Sequence, residues 1–325
     1  MEIFCSSGFS VETSENNRVL SAKTMLSELK NKNIEIIAPA SGVPMETLKQ
    51  IENVFPFKLH INKNLFGGDT RFHANTDEQR ASQLQDALNS DVPNTVIWCL
   101  RGGYGVGRLM DVISDMKEPN NKKILIGYSD ITALHLFLSQ KFGWQTIHGT
   151  VLTDMIAPNK DLKGLQIVCD LASGEINSST LPGLIPINGP AKISKSICGN
   201  LTGGNLTIIQ SSIGTSWQIQ TEGKIIFIED WAEPGYKIDR MLWHLKSAGV
   251  FSGAKAILFG DFEAASKDSD VEYALQRFAD QSDIPVYKTN NFGHGKYNYP
   301  LVYNASAKIE PEGGTFTMHF NVDLK

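Results

Sequence analysis

"KKILIGYSDITALHLFLSQKFG" (residues 122–143) passes from one kind of structure to another across a single serine. Lys122–Tyr128 is an apolar run without alternation, the pattern of a parallel strand covered on both faces. Asp130–Lys141 reads as a helix, and Ser129 sits on the hinge. Two earlier runs, "IEIIAP" (34–39) and "NTVIWCL" (94–100), have the same texture. Amphipathic helices are expected between and around them, near 45–54, 76–89, 107–115 and 130–141. The fold class expected is α/β with an open, mainly parallel sheet.

Working outward, residues 1–32 form an atypical extension: a polar opening, then "RVLSAKTMLSELKNK" (18–32), a helix. The first α/β domain is expected over 33–160. A linker is expected over 161–196, because "SGEINSSTLPGLIPINGPAKIS" (173–194) is rich in Ser, Gly, Pro and Asn and reads as a connector with a few short strands. A smaller second α/β domain is expected over 197–325. It holds the strands "GKIIFIEDW" (223–231), "AKAILFGDF" (254–262) and "IPVYKTNNFG" (284–293), and helices at 236–249 and near 270–280. "NASAKIEPEGGTFTMHF" (304–320) reads as a hairpin turning at Glu312-Gly313-Gly314.

At 325 residues, with 41% hydrophobic and 20% charged residues, the chain has ample material for one large or two ordinary cores. Its formal charge of -5 makes nucleic acid an unexpected partner. No apolar run approaches the roughly 18 residues of a membrane span. The start "MEIFCSSGFSVETSENN" lacks a basic segment followed by an apolar core, so no secretory signal is expected. Cys5 resembles a lipid-attachment cysteine only superficially. Cys99, Cys169 and Cys198 are far apart, which suggests neither a disulfide framework nor a zinc site, and a reducing cytoplasm fits.

In open α/β sheets functional groups collect outside the carboxyl ends of strands. Ser129, Glu229, the loop "RGGYGVG" (101–107) and His294 all fall there. Serine, carboxylate and histidine are the parts of a serine hydrolase, and the order Ser, Glu, His is one established order for such triads. Each residue has a second reading. Ser129 could cap the helix beginning at Asp130, and "GYSD" is not the G-x-S-x-G elbow. Glu229-Asp230 could be a solvated strand end, with Glu233, Asp239 and Arg240 in an ion-pair network. Among the other histidines, His60, His135, His244 and His319 read as packing or surface residues, while His73 and His148 stay open as bases. The glycines of 101–107 fit either a tight turn or a nest of N–H groups facing an oxyanion. "GNLTGGNLTIIQSSIGT" (199–215) lacks the basic residue of a phosphate loop and reads as close packing of a helix.

Taken together, "RGGYG", "GYSDITAL", "HGT", "GNLTGGNLT", "IEDWAEPGYKIDRMLWHL" and "FGHG" resemble, in order and spacing, the LD-carboxypeptidases. These are serine peptidases that include the muramoyltetrapeptide carboxypeptidases and the microcin C self-immunity peptidases. The likeness runs from about Ile34 to His319. It implies an N-terminal domain of flavodoxin or class I glutamine-amidotransferase type, a smaller C-terminal α/β domain, a homodimer, and no metal or cofactor. It implies Ser129 as nucleophile, Glu229 as triad carboxylate and His294 as base, with the backbone amides of Gly103 and Asp130 as oxyanion donors. "EDWAEPGYKIDR" resembles the muramoyltetrapeptide branch, whose substrate is a peptidoglycan tetrapeptide recycled in the cytoplasm. Arg101 and Arg240 suit the substrate's free carboxylate. Trp231 and Tyr236 suit the cleft wall, with core packing the alternative for Trp231. Thr150 stands where many relatives have proline, and the first 25 or so residues extend beyond the usual family start. The competing expectations are a peptidase acting on a peptidyl-nucleotide conjugate and a non-catalytic peptide-binding protein of the same fold.

Overall fold

The computed structural model describes residues 7–62, 64–67, 71–262 and 269–324, so Cys5 lies outside the described residues. Thirteen strands are found there: β1 (Asn33–Ile37), β2 (His60–Ile61), β3 (Thr95–Cys99), β4 (Ile124–Gly127), β5 (Ile147–His148), β6 (Ser178–Pro186), β7 (Ile197–Asn205), β8 (Lys224–Glu229), β9 (Ala256–Asp261), β10 (Val286–Gly293), β11 (Leu301–Val302), β12 (Ser306–Glu312) and β13 (Thr315–Asn321). They form two sheets.

The first sheet is open, in the order β11-β5-β4-β3-β1-β2. Its strands from β2 to β5 pair in parallel, and β3 and β4 are buried along their whole length. This is what their unbroken apolar runs predict. The expected helices are present at Met45–Val54, Asp77–Asn89 and Thr132–Lys141, the second capped by Thr76, whose hydroxyl accepts from Gln79 N–H. Near 107–115 a 3-10 turn, Val106–Leu109, runs into the short helix Met110–Ile113. The order reverses between β1 and β3, and such a switch point opens a crevice at the carboxyl ends of the strands.

The second sheet departs from expectation. It closes into a barrel, β10-β6-β13-β12-β7-β8-β9. β7 to β10 are parallel, as an α/β unit requires, while β6, β12 and β13 pair antiparallel. The stretch 161–196 is therefore no bare connector. It carries the helix Lys163–Ser173, strand β6 and the helix Gly189–Lys192. Its polar texture misled because β6 has exposed residues along much of its length and includes Pro182 and Gly183. The glycine-rich stretch 199–215 is likewise mostly strand β7, followed by the helix Leu206–Ser211. A Cβ at Gly203 would lie 1.8 Å from the Phe227 carbonyl oxygen, so the close approach is strand on strand.

One residue shows how firmly the supposed linker is built in. Asn188 is buried; its amide donates to the carbonyls of Ala279, Ser282 and Ile284, and its oxygen accepts from Ala191 and Val286 N–H. Asn188→Ala leaves several of these groups unpaired and is expected to lower unfolding stability by about 2–4 kcal/mol. The measurement is a denaturant midpoint at unchanged slope; a loss under about 0.5 kcal/mol would mean the segment is a tether after all.

The two sheets are interleaved in sequence. β11 lies between barrel strands β10 and β12, yet it pairs antiparallel with β5 at the edge of the first sheet. The hairpin β12–β13 turns at Gly313-Gly314, as the sequence predicts. Among the described residues no helix is long and apolar enough to cross a membrane.

Candidate active site

Ser129 follows β4 after one intervening residue, Tyr128, and has a φ of +67°, a left-handed conformation that a side-chain-bearing residue adopts at a cost of about 1–3 kcal/mol. The 3-10 turn Ser129–Ile131 then leads into the helix Thr132–Lys141. The cap position falls on Tyr128, and no side-chain hydrogen bond caps either element. The cap reading of Ser129 thus has no bond behind it. Strain at a strand-to-helix turn instead displays the hydroxyl, which is half-buried at the floor of a cleft of ≈ 480 Å³.

The loop after β3 forms one wall. Gly103 has a φ of +121°, and a Cβ there would stand 2.2 Å from Ser41 Oγ. Gly102 is pressed onto Ser129, since its Cβ would lie 2.9 Å from Ser129 Cβ. The Asp130 carboxylate accepts from Val106 N–H at 2.9 Å and so ties this loop to the serine turn. Burial pushes the Asp130 carboxyl up to about 6, against the opposing pull of that N–H and of Arg80. Arg80 is itself buried and donates to the carbonyls of Pro39, Asn75 and Gly105, fixing the ends of β1 and β3 to each other.

Opposite stands the end of the barrel. Glu229, the last residue of β8, is fully buried, and its Oε2 accepts from His294 Nδ1 at 2.5 Å. His294 follows β10 and lines the cleft with its other ring nitrogen unpaired to any carboxylate. Burial alone would raise the Glu229 carboxyl, but the charge and hydrogen bond of His294 outweigh it and hold it below its ordinary value. Burial likewise opposes a charged His294, yet Glu229 keeps the imidazole above its ordinary value. The ring lies between Tyr128, with centroids 4.8 Å apart, and Trp231, at 5.5 Å.

Three other histidines are placed by their surroundings. His135 is buried, with its ring nitrogens on Thr146 and the Gly127 carbonyl. Burial brings His148 down to about 4, so this core histidine is neutral. His73 lines a neighbouring cavity with Ser41 and Arg71.

Of the residues expected at the site, Glu229 and His294 are paired, His294 lines the same cleft as Ser129, and Gly103, Asp130 and Arg101 share the cleft wall. Trp231 is 47% exposed and lines the cleft, which removes its core-packing alternative. Tyr236 and Arg240 do not belong to the cleft wall. They sit one turn apart on the helix Gly235–Ser247, where the guanidinium lies 5.9 Å from the tyrosine ring. Of the charges of 231–240, Glu233 pairs locally with Lys237, while Asp239 pairs with Arg277 of the helix Ser269–Asp280. Asp230 is buried beneath them, accepts from Asn205 and Thr207, and is pushed up to about 6 by burial and by the neighbouring Glu229 charge. Sequence reasoning missed Tyr128, Asp154 and Lys160, which also line the cleft. Tyr128 stands inside the motif "GYSDITAL" but was passed over beside Ser129, and no periodicity or motif singles out Asp154 or Lys160.

A fully buried carboxylate paired to a cleft-facing imidazole, across from a strained serine, can remove a proton from a hydroxyl and return it to a leaving group. Comparison with known proteins places the chain in a family. The LD-carboxypeptidase N-terminal domain matches residues 34–149, and the LD-carboxypeptidase C-terminal domain matches residues 198–309. A Rickettsia conorii protein with a provisional carboxypeptidase name is 46% identical over 283 residues, 86% of this chain and 89% of that relative. The murein tetrapeptide carboxypeptidase of Pseudomonas aeruginosa is 31% identical over 293 residues, 85% of this chain and 92% of the relative. The crystal structure of a muramoyltetrapeptide carboxypeptidase from Oxalobacter formigenes shares the fold, with a TM-score of 0.75 at 24% identity over 89% of this chain and 98% of that one. The chain belongs to the LD-carboxypeptidase family.

Proposed function

We propose that this member of the LD-carboxypeptidase family is a serine peptidase that releases D-alanine from murein tetrapeptides. It cleaves the bond from the L-centre of the diamino acid to the terminal residue, in the cytoplasm, as part of cell-wall recycling. The observation that carries the reading is the 2.5 Å pair of Glu229 and His294 facing the same cleft as Ser129. The name of the Pseudomonas aeruginosa relative supports the choice of substrate.

In this reading Ser129 Oγ attacks the scissile carbonyl while His294 Nε2 takes the hydroxyl proton, and Glu229 holds the imidazolium that forms. The carbonyl oxygen becomes an oxyanion facing the amides of Gly103 and Asp130. His294 then delivers its proton to the departing amine, D-alanine leaves, and water repeats the sequence on the acyl-enzyme. Arg101, on the cleft wall, is the cation offered to the terminal carboxylate. Trp231 closes the site beside the base. Tyr236 and Arg240 take no part.

The test is to incubate the protein with a tetrapeptide ending in D-alanine, in the presence of a chelator, and to follow free D-alanine. Release from that peptide but not from its L-alanine epimer supports both the chemistry and the stereochemistry. Cleavage of a peptidyl-nucleotide conjugate instead would favour the microcin-type reaction, and no turnover of either would favour a binding protein. The oxyanion assignment has its own test. Gly103→Ala adds a methyl at a left-handed φ and against Ser41, displacing the amide. The expected loss is about 10²–10³ in kcat; a variant with unchanged kcat would remove Gly103 from the oxyanion site.

A further inference from the structure

Ser129 and His294 are carried by different sheets, so something must fix the distance between them. A single ammonium spans the gap. Lys160 Nζ donates to the His294 carbonyl at 2.7 Å and to the Gly295 carbonyl at 2.9 Å, and it reaches the Tyr128 hydroxyl at 3.3 Å. Tyr128 immediately precedes Ser129. These contacts use the three donors an ammonium has. The backbone adds a second tie, since Asp161 N–H donates to the Lys296 carbonyl at 2.8 Å.

Lys160 is in turn held from the N-terminal extension. On the helix Ser7–Leu26, Arg18 donates from Nη1 to the Lys160 carbonyl at 2.5 Å, from Nη2 to the Asp154 carbonyl at 3.0 Å and from Nε to the Met155 carbonyl at 3.1 Å. A guanidinium fork suits three carbonyls of one segment, whereas an ammonium at the same place would not span them. Ala22 and Leu26 of this helix are fully buried, so it is docked onto the protein. The helix lies outside both family-matched stretches, 34–149 and 198–309.

We propose that Lys160 is a positioning residue for His294, and that the N-terminal helix acts on the site through Arg18, which secures the 154–160 segment from which Lys160 reaches. The kinetic consequence rests on the peptidase reading above; the clamp itself does not. A base displaced by about 1 Å costs up to about 10²-fold in rate.

The variants are Lys160→Met, Lys160→Arg, Arg18→Met and Arg18→Lys. Lys160→Met and Arg18→Met are expected to lower kcat on the tetrapeptide by about 10–100-fold with KM changed less than about 3-fold. Lys160→Arg recovers much of the rate because donors are restored, and Arg18→Lys recovers little. Two further readouts need no substrate: an NMR titration of the His294 imidazole and hydrogen exchange of the amides at 294–298. Lys160→Met removes a positive neighbour and moves the imidazole titration upward; Glu229, Asp230, Asp154, His148 and Tyr128 still face the ring. Arg18→Met leaves that charge present and speeds exchange at 294–298. Normal kcat with unshifted titration and unchanged exchange overturns the proposal, as does a raised KM at constant kcat, which would make Lys160 a substrate ligand. If the wild type releases no D-alanine, the peptidase reading fails, while titration and exchange still decide the clamp. If Arg18→Met does not fold, Arg18→Lys decides the part of the helix by the same exchange at 294–298, and Lys160→Met decides the clamp on His294.

Discussion

Ser129→Ala is expected to reduce D-alanine release by about 10⁴–10⁶-fold while leaving the fold as stable as before. The rate loss follows from the role of the residue: in a serine triad, deleting the nucleophile costs about as much as deleting all three members, and only binding and the oxyanion donors remain. Unchanged stability follows from geometry. The serine hydroxyl caps neither the turn it opens nor the helix behind it, so its loss takes away no capping bond. Alanine also bears the same left-handed backbone at φ near +67° as serine does. Ser129→Gly makes the argument sharper. Glycine has no Cβ to strain there, so that variant is expected to be about 0.5–1 kcal/mol more stable than Ser129→Ala and equally inactive. A protein that stores strain at its nucleophile should show this opposition of stability and rate. Thermal melts of the three proteins beside the D-alanine assay check both halves. Release by Ser129→Ala at the wild-type rate would take the residue out of the mechanism. A Gly variant less stable than Ala would mean that the strained turn is not stored energy.

The first sheet was legible because its signals are local. β3 after Thr95 and β4 throughout are apolar, and each runs into a glycine or serine turn. The barrel was not, because its closure depends on pairings far apart in sequence. β6 meets β10 and β13 across more than 100 residues, and its exposed positions and Pro182 erase the alternation that marks a strand. β11, two residues long, leaves no periodicity at all, yet it completes the edge of the other sheet. The triad candidates were legible as residues at strand ends, in an order and in motifs that resemble a serine-peptidase family, but not as neighbours in space. What brings them together is the docking of two sheets through contacts such as those of Lys160, whose partners are carbonyls and therefore leave no trace in side-chain identity. Exposure was the least legible property. Trp231 and Tyr236 lie five residues apart in one charged stretch, and only the turn from strand β8 into the helix Gly235–Ser247 decides that the first faces the cleft and the second does not.

Glu229→Gln isolates the contribution of one charge, because the side chain keeps its length and its oxygen. The expected loss in kcat at neutral pH is about 10⁴-fold, the scale seen when a triad carboxylate becomes an amide and no longer favours the right tautomer or the imidazolium. The pH profile should move in an unexpected direction for a crippled enzyme. In the wild type, Glu229 holds the His294 pKa above its ordinary value, so activity rises with pH through that raised value as the imidazole becomes a free base. In the variant the Glu229 charge and its hydrogen-bonded carboxylate are gone and only the weaker pull of Asp230 opposes burial, so the imidazole loses its proton at lower pH and the acid limb shifts downward. More of the base is then available at pH 6, and the rate is still far lower, because a base that cannot be stabilised as its conjugate acid does not accept the serine proton. Stability follows the same linkage. The raised His294 contributes stability that is present below its unfolded pKa, near 6.5, and is lost as pH rises through the folded value. The depressed Glu229 contributes stability that is present above its unfolded pKa, near 4.3, and is lost as pH falls through the folded value. Wild type and variant should therefore differ most in melting temperature between about pH 4.3 and 6.5, where both contributions are present, and less on either side. An acid limb that stays put, or a stability difference independent of pH, would show that Glu229 and His294 do not share a charge-paired state in the working protein.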